Sequence, residues 1–169
     1  MLMRNIFLIG IVLFAALSRL VPHPPNFTPI IAMSLFSGVY FSNKNIAVIV
    51  VLLAMFISDA IIGFHSLMIW VYASFVIITF MGSLVKPKIK NLGFATIGSS
   101  LFFFLVTNFG VWFSGTFYPK SLSGLFTCYV AGLPFLKNSI AGDLFYIIVL
   151  FSLFEFAKRN FFKLTPDNI

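Results

Sequence analysis

Residues 121–133 read "SLSGLFTCYVAGL". Leu122, Leu125, Phe126, Tyr129, Val130 and Leu133 recur at i, i+3, i+4, i+7, i+8 and i+11, which is one apolar helical stripe. Ser123, Thr127 and Cys128 lie off that stripe. About 13 residues are too few to cross a bilayer, which needs roughly 20. The expectation is a short amphipathic helix, lying on an outer surface or folded over a cavity. It also decides the count of spans, because a seventh crossing here would reverse the side on which the C-terminus lies.

Outward from it, breakers and helix-capping residues cut the chain into six apolar segments. They run at about 5–20, 28–42, 45–63, 66–85, 92–115 and 138–158. The second is short and requires a thinned bilayer or help from its flanks. Thr28, with Pro29 after it, reads as a cap for the second helix, and Asn45, Ser66 and Asn138 for the third, fourth and sixth. The expected fold is all-α: a single transmembrane domain over residues 1–169, with six transmembrane helices plus the outer amphipathic one.

Composition supports the membrane reading. The chain has 169 residues, 60% hydrophobic and 9% charged, with 24 Phe. A soluble domain of this size carries far more charge. The net charge of +7 has no basic stripe with interleaved aromatics behind it, so it reads as topology signal rather than nucleic-acid binding. One cysteine, Cys128, excludes an intrachain disulfide and a multi-cysteine metal site. Arg4, an apolar run and Ala16-Leu17-Ser18 imitate a signal peptide, but an uncleaved first span is expected.

With six spans, one face receives Arg4, Lys44, Lys86, Lys88, Lys90, Lys158, Arg159 and Lys163, and the other only Arg19, Lys120 and Lys137. The positive-inside rule then puts both termini in the cytoplasm, in an inner or plasma membrane. Three outer connections follow: "RLVPHPPNFTP" (19–29), "SDAIIGFHS" (58–66) and the long segment from Ser114 to Asp143. They gather Arg19, His23, Asn26, Asp59, His65 and Asp143 at the outer end, where the adjoining spans add Asn108, Trp112 and Tyr146. Four prolines in the first connection make a stiff cap poor in backbone donors. These nine residues are the candidate ligand-binding set.

Each has a plainer reading. Trp70 and Trp112 suit an aromatic belt, Asn108 an interhelical hydrogen bond, and Asp59 a solvated helix end. Asp143 lies about five residues into the sixth segment, one turn after Ser139. A carboxylate there requires a partner, with Arg19 the first candidate; Arg19 in turn can pair with Asp143 or Asp59, and structural pairing and ligand binding both stand. His23 and His65 are a weak metal signal, and no metal or cofactor is expected. Glu155 with Lys158 and Arg159 reads as a helix-end cluster. Asn26-Phe27-Thr28 matches a glycosylation sequon with Pro29 behind it. The chain has no phosphate-binding loop, no H-E-x-x-H, no Gly-x-Ser-x-Gly and only four acidic residues, so no enzyme is expected.

The strings "RLVPHPPNFTPIIAMSLFSG", "SDAIIGFHS", "FFLVTNFGVWF" and "CYVAGLPFLKNSIAGDLFY" together resemble an uncharacterised family of small bacterial membrane proteins, across about 19–146. That family in turn resembles the substrate-binding S-components of energy-coupling-factor vitamin transporters. The resemblance implies six spans, a pocket built from outer loops, uptake of a small molecule and a coupling ATPase module. It places Arg19, His23, Asn26, Asp59, Asn108, Trp112 and Asp143 on the pocket side. The first span carries Gly10, Ala15 and Ala16 without the Ala-x-x-x-Ala spacing by which S-components dock that module. Close helix contacts are expected instead at Ser34-x-x-x-Gly38 and Ala95-x-x-x-Ser99. The partner stays open between the coupling module and another complex. The alternative function is a non-catalytic accessory subunit of a larger membrane assembly.

Overall fold

A computed structural model of the chain describes residues 2–160, so Lys163 of the charge count lies outside the described residues. Six α-helices follow in order: α1 (Leu2–Leu17), α2 (Ile30–Tyr40), α3 (Lys44–Ile62), α4 (Met68–Gly82), α5 (Ile89–Ser114) and α6 (Leu122–Asn160). A 3₁₀ turn, Ser18–Leu20, extends α1. No strand occurs among the described residues.

Successive helices run in opposite directions, as side-chain contacts show. At one end, Arg4 of α1 donates to Ser42 Oγ at 2.5 Å, Phe7 meets Phe154, and Tyr40 donates to Glu155 at 2.7 Å. Both ends of the described chain therefore share this end with the α2–α3 connection. At the other end, Asn26, Leu67 and Tyr118, one from each remaining long connection, line a single cavity. We call these the basic end and the loop end.

Four helices are long and apolar enough to cross a membrane: Met3–Leu20, Lys44–Ile62, Ile89–Ser114 and Leu122–Asn160. The expected six reduce to four by this measure. At 1.5 Å per residue, α2 and α4 extend about 16 and 22 Å, short of a hydrocarbon core of about 30 Å. The sequence around α2 gives the reason. Pro29 precedes it, and Phe41 leaves it in extended conformation. Its protein surroundings compensate for its shortness: Ile31 to Gly38 are all buried, so α2 is the central helix and meets neighbours rather than lipid.

The α2–α4 crossing is close because it is built from glycines. A Cβ on Gly38 would stand 2.0 Å from Thr79 O, and one on Gly82 2.7 Å from Leu35 O. The Ser34-x-x-x-Gly38 spacing thus marks a real contact, as small residues do where helices pack in lipid. Lys44 Nζ then closes α2 by donating to Gly38 O and Phe41 O at 3.0 and 2.8 Å.

The expected separate helix at 121–133 is corrected. It is continuous with the sixth apolar segment, and α6 runs unbroken for 39 residues, about 58 Å. Pro134 lies inside it, costing one backbone hydrogen bond without ending the helix. The stripe itself faces away from the bundle. Leu122, Phe126, Val130 and Leu133 are exposed, whereas Gly124, Cys128 and Gly132 are buried. A Cβ on Gly132 would stand 2.6 Å from Asn108 Oδ1, so the small face packs against α5 and the apolar face looks outward.

The caps shift too. Asn43, not Asn45, caps α3, accepting from Asn45 N and Ile46 N. Pro29 and Leu67 precede α2 and α4 without side-chain caps. Asn138 lies within α6, where its amide is free to reach a loop.

Candidate functional site

Arg19 lies in the 3₁₀ turn after α1 and faces α3. Its Nη1 pairs with Asp59 Oδ1 at 2.8 Å and also contacts Ser58 Oγ and Met55 Sδ. Tyr72 of α4 donates to the other oxygen, Asp59 Oδ2, at 2.7 Å. Both oxygens of this buried carboxylate are therefore answered, and α1, α3 and α4 are tied at one point. Of the two partners open to Arg19 in the sequence, the structure selects Asp59.

Asp143 is equally deep, 1% exposed, and makes no ion pair among the described residues. Ser100 of α5 donates to its Oδ2 at 2.8 Å, and Ser139, one turn earlier on α6, at 3.2 Å. Among the described residues Oδ1 takes no hydrogen bond.

The proline-rich connection is fastened over this region. Phe27 N donates to Pro24 O, which also accepts from His23 Nδ1 at 2.9 Å. Asn26 sits at φ 61°, a left-handed conformation that asparagine tolerates better than most residues. Asn138 of α6 then donates to Pro25 O at 3.0 Å. Phe27 seats on Gly142, where a Cβ would stand 3.0 Å from Phe27 Cα, and between the rings of Phe145 and Tyr146 at 5.9 and 6.0 Å. Prolines limit the loop's freedom, and α6 fixes what remains.

Two adjoining cavities lie under it. The smaller, about 200 Å³, is lined by Arg19, His23, Asn26, His65, Ser139 and Asp143, with apolar walls from Val71 and Phe103. The larger, about 440 Å³, runs between α5 and α6, past Phe104, Thr107, Asn108, Tyr118 and Gly132. Asn26, Val71, Phe103 and Ser139 border both. Each has mostly apolar walls with a few polar groups, the usual make-up of a small-molecule site.

Of the nine residues singled out from sequence, five line the smaller cavity: Arg19, His23, Asn26, His65 and Asp143. Asn108 lines the larger, its amide donating to Phe104 O of its own helix at 2.9 Å. Asp59 stands behind Arg19 rather than on the cavity wall. Tyr146 lies beneath Phe27, its hydroxyl 3.5 Å from Ser18 Oγ. Trp112 is elsewhere: its Nε1 donates to Pro119 O at 2.8 Å, and Lys120 Nζ sits 5.5 Å from its ring. Lys120 also donates to the carbonyls of Phe113 and Gly115, closing the end of α5. Trp70 is spent in the same way, donating to Ser114 Oγ at 3.1 Å.

Sequence reasoning missed Ser100, Phe103, Phe104 and Gly132. Gly132 had a signal, the four-residue spacing of Gly124, Cys128 and Gly132. Ser100 had none beyond being a hydroxyl in an apolar run. No three His, Cys, Asp or Glu side chains among the described residues form a metal-binding group.

A family model matches residues 1–165. The chain belongs to the DUF6580 family. It is a family of unknown function. No curated protein and no solved structure matches the chain.

Proposed function

We propose that this DUF6580 protein is a substrate-binding membrane subunit for uptake of a small molecule, in the manner of an energy-coupling-factor S-component. The observation that carries the reading is the joined cavity at the loop end, with Arg19, His23, Asn26, His65 and Asp143 at one extremity and Asn108 along its length. Charge supports the orientation. Arg4, Lys44, Lys86, Lys88, Lys90, Lys158 and Arg159 belong to the basic end; Arg19, Lys120 and Lys137 belong to the loop end or the α6 segment leading from it. The positive-inside rule turns the basic end, with both termini, toward the cytoplasm and the cavity outward. The loop is already fastened by Asn138 and Phe27, so little ordering is lost when a ligand enters. Any energy-requiring step is supplied by a partner.

Native mass spectrometry of the full chain, extracted gently from its membrane, tests this reading. The wild type is expected to retain a small-molecule adduct. Ala131 is exposed and lines the larger cavity, and Ala131→Trp fills it. The variant is expected to fold and to lose the adduct. A wild type that carries no adduct, or a variant that keeps it, counts against the site.

A further inference from the structure

Two carboxylates are buried at the loop end, and only one has its charge balanced. Asp59 has a guanidinium on one oxygen and a phenol on the other. Asp143 has two serine hydroxyls, both on Oδ2. Neutral hydrogen bonds contribute roughly 0.5–1.5 kcal/mol each and bring no countercharge. An aspartate at the centre of a membrane helix costs roughly 2.5–3.5 kcal/mol on insertion scales, and such groups face a partner or a functional cavity. Asp143 faces a cavity, and Oδ1 is the oxygen left over.

We propose that Asp143 is the recognition group for a protonated nitrogen of the ligand, so that the site takes a small organic cation. Its ammonium or amidinium end meets Asp143, and its flat apolar body lies along Phe103 and Phe104. This rests on the reading that the joined cavities are a ligand site. The other charged group on the wall does not compete for Asp143, because Arg19 is held by Asp59 and Ser58. His23 and His65, on the first and second loops, and Asn26 add polar atoms at the same extremity of the cavity. The phenyl faces suit a cation as well as a flat body, since an aromatic face attracts positive charge. An anionic ligand fits this floor poorly: it would be placed beside an uncompensated carboxylate, and the nearby guanidinium is already engaged.

The test uses the full chain in lipid nanodiscs at pH 7.5 and three matched probes: tryptamine, indole-3-ethanol and indole-3-acetate. Calorimetry is expected to show tryptamine binding at least tenfold tighter than the alcohol, and the acid weakest. Asp143→Asn keeps the shape and removes the charge. It is expected to bring tryptamine down to the level of the alcohol while leaving the alcohol's affinity unchanged, which also shows that the variant is folded. Equal binding of amine and alcohol by the wild type overturns the cation reading and leaves the cavity standing as a site for neutral molecules. Preference for the acid overturns it in favour of an anion. Unchanged tryptamine binding in Asp143→Asn overturns it too, since Asn mimics a protonated acid. If none of the three binds, the cation proposal fails, and the native mass spectrum alone decides on the cavity.

Discussion

At the basic end, Phe36 meets Phe151 edge-on at 5.4 Å, Tyr40 packs 4.3 Å from Phe154, and the Tyr40 hydroxyl is donated to Glu155. At the loop end, α5 and α6 touch through Gly132 and Cys128 but leave a cavity beside that contact, and Asp143 lines the adjoining cavity with no ion pair among the described residues. Aromatic pairs close the first end against itself. The second keeps its cavities open, although phenylalanines, Phe103 and Phe104, line them too. The difference teaches that the bundle's stability and its chemistry are placed at opposite ends. Within the loop end, the contrast repeats between Asp59, which ties three helices, and Asp143, which ties none through charge.

The largest effect is expected from Arg19→Ala, which leaves Asp59 buried without its cation. It should cost about 3–5 kcal/mol, read from denaturation in detergent. Adding Asp59→Asn should recover most of that loss; an unchanged single variant would break the contrast with Asp143. Gly38→Val forces α2 and α4 apart and should cost about 3 kcal/mol, at the upper end of overpacking effects. Tyr40→Phe removes a hydrogen bond to a carboxylate at the basic end and should cost about 1.5 kcal/mol. Asp143→Asn should leave the ligand-free protein as stable or raise it by up to about 1 kcal/mol, as sites kept for function often behave. A loss like that of Arg19→Ala would make Asp143 structural and erase the distinction between the two acids. Phe126→Ala, on the outward stripe of α6, should change stability by less than about 0.5 kcal/mol.

The stripe in residues 122–133 shows where the sequence was legible and where it was not. Its helical period was legible, and the side it faces was not. In water an apolar face marks the core. In lipid it gains little from burial, and small residues such as Gly124, Cys128 and Gly132 mark the packed side instead. The order and approximate limits of the other helices followed from breakers, and the shared end of Arg19, His23, Asn26, His65 and Asp143 followed from orientation alone. The partner of Arg19 did not follow, because two aspartates were in reach by position and only packing separates them. Trp112 was misplaced toward the cavity because a helix face four residues from Asn108 was taken without the turn at Pro119, whose carbonyl holds the indole. The break expected near Asn138 failed because Pro134 removes one hydrogen bond from α6 while the neighbouring turns continue.

The central claim is that the loop-end cavity opens to the outside of the cell. Thr107 lines the larger cavity, and Cys128 is the chain's one cysteine, so Thr107→Cys in a Cys128→Ser background carries a single reporter thiol. Intact cells are treated with a membrane-impermeant methanethiosulfonate, with Phe117→Cys, in the exposed connection between α5 and α6, in the same background as the control. The account predicts that Cys at position 107 is modified in intact cells, and that the modification is blocked when Ala131→Trp is added. Modification only in inverted vesicles, or on neither side of the membrane, would contradict it.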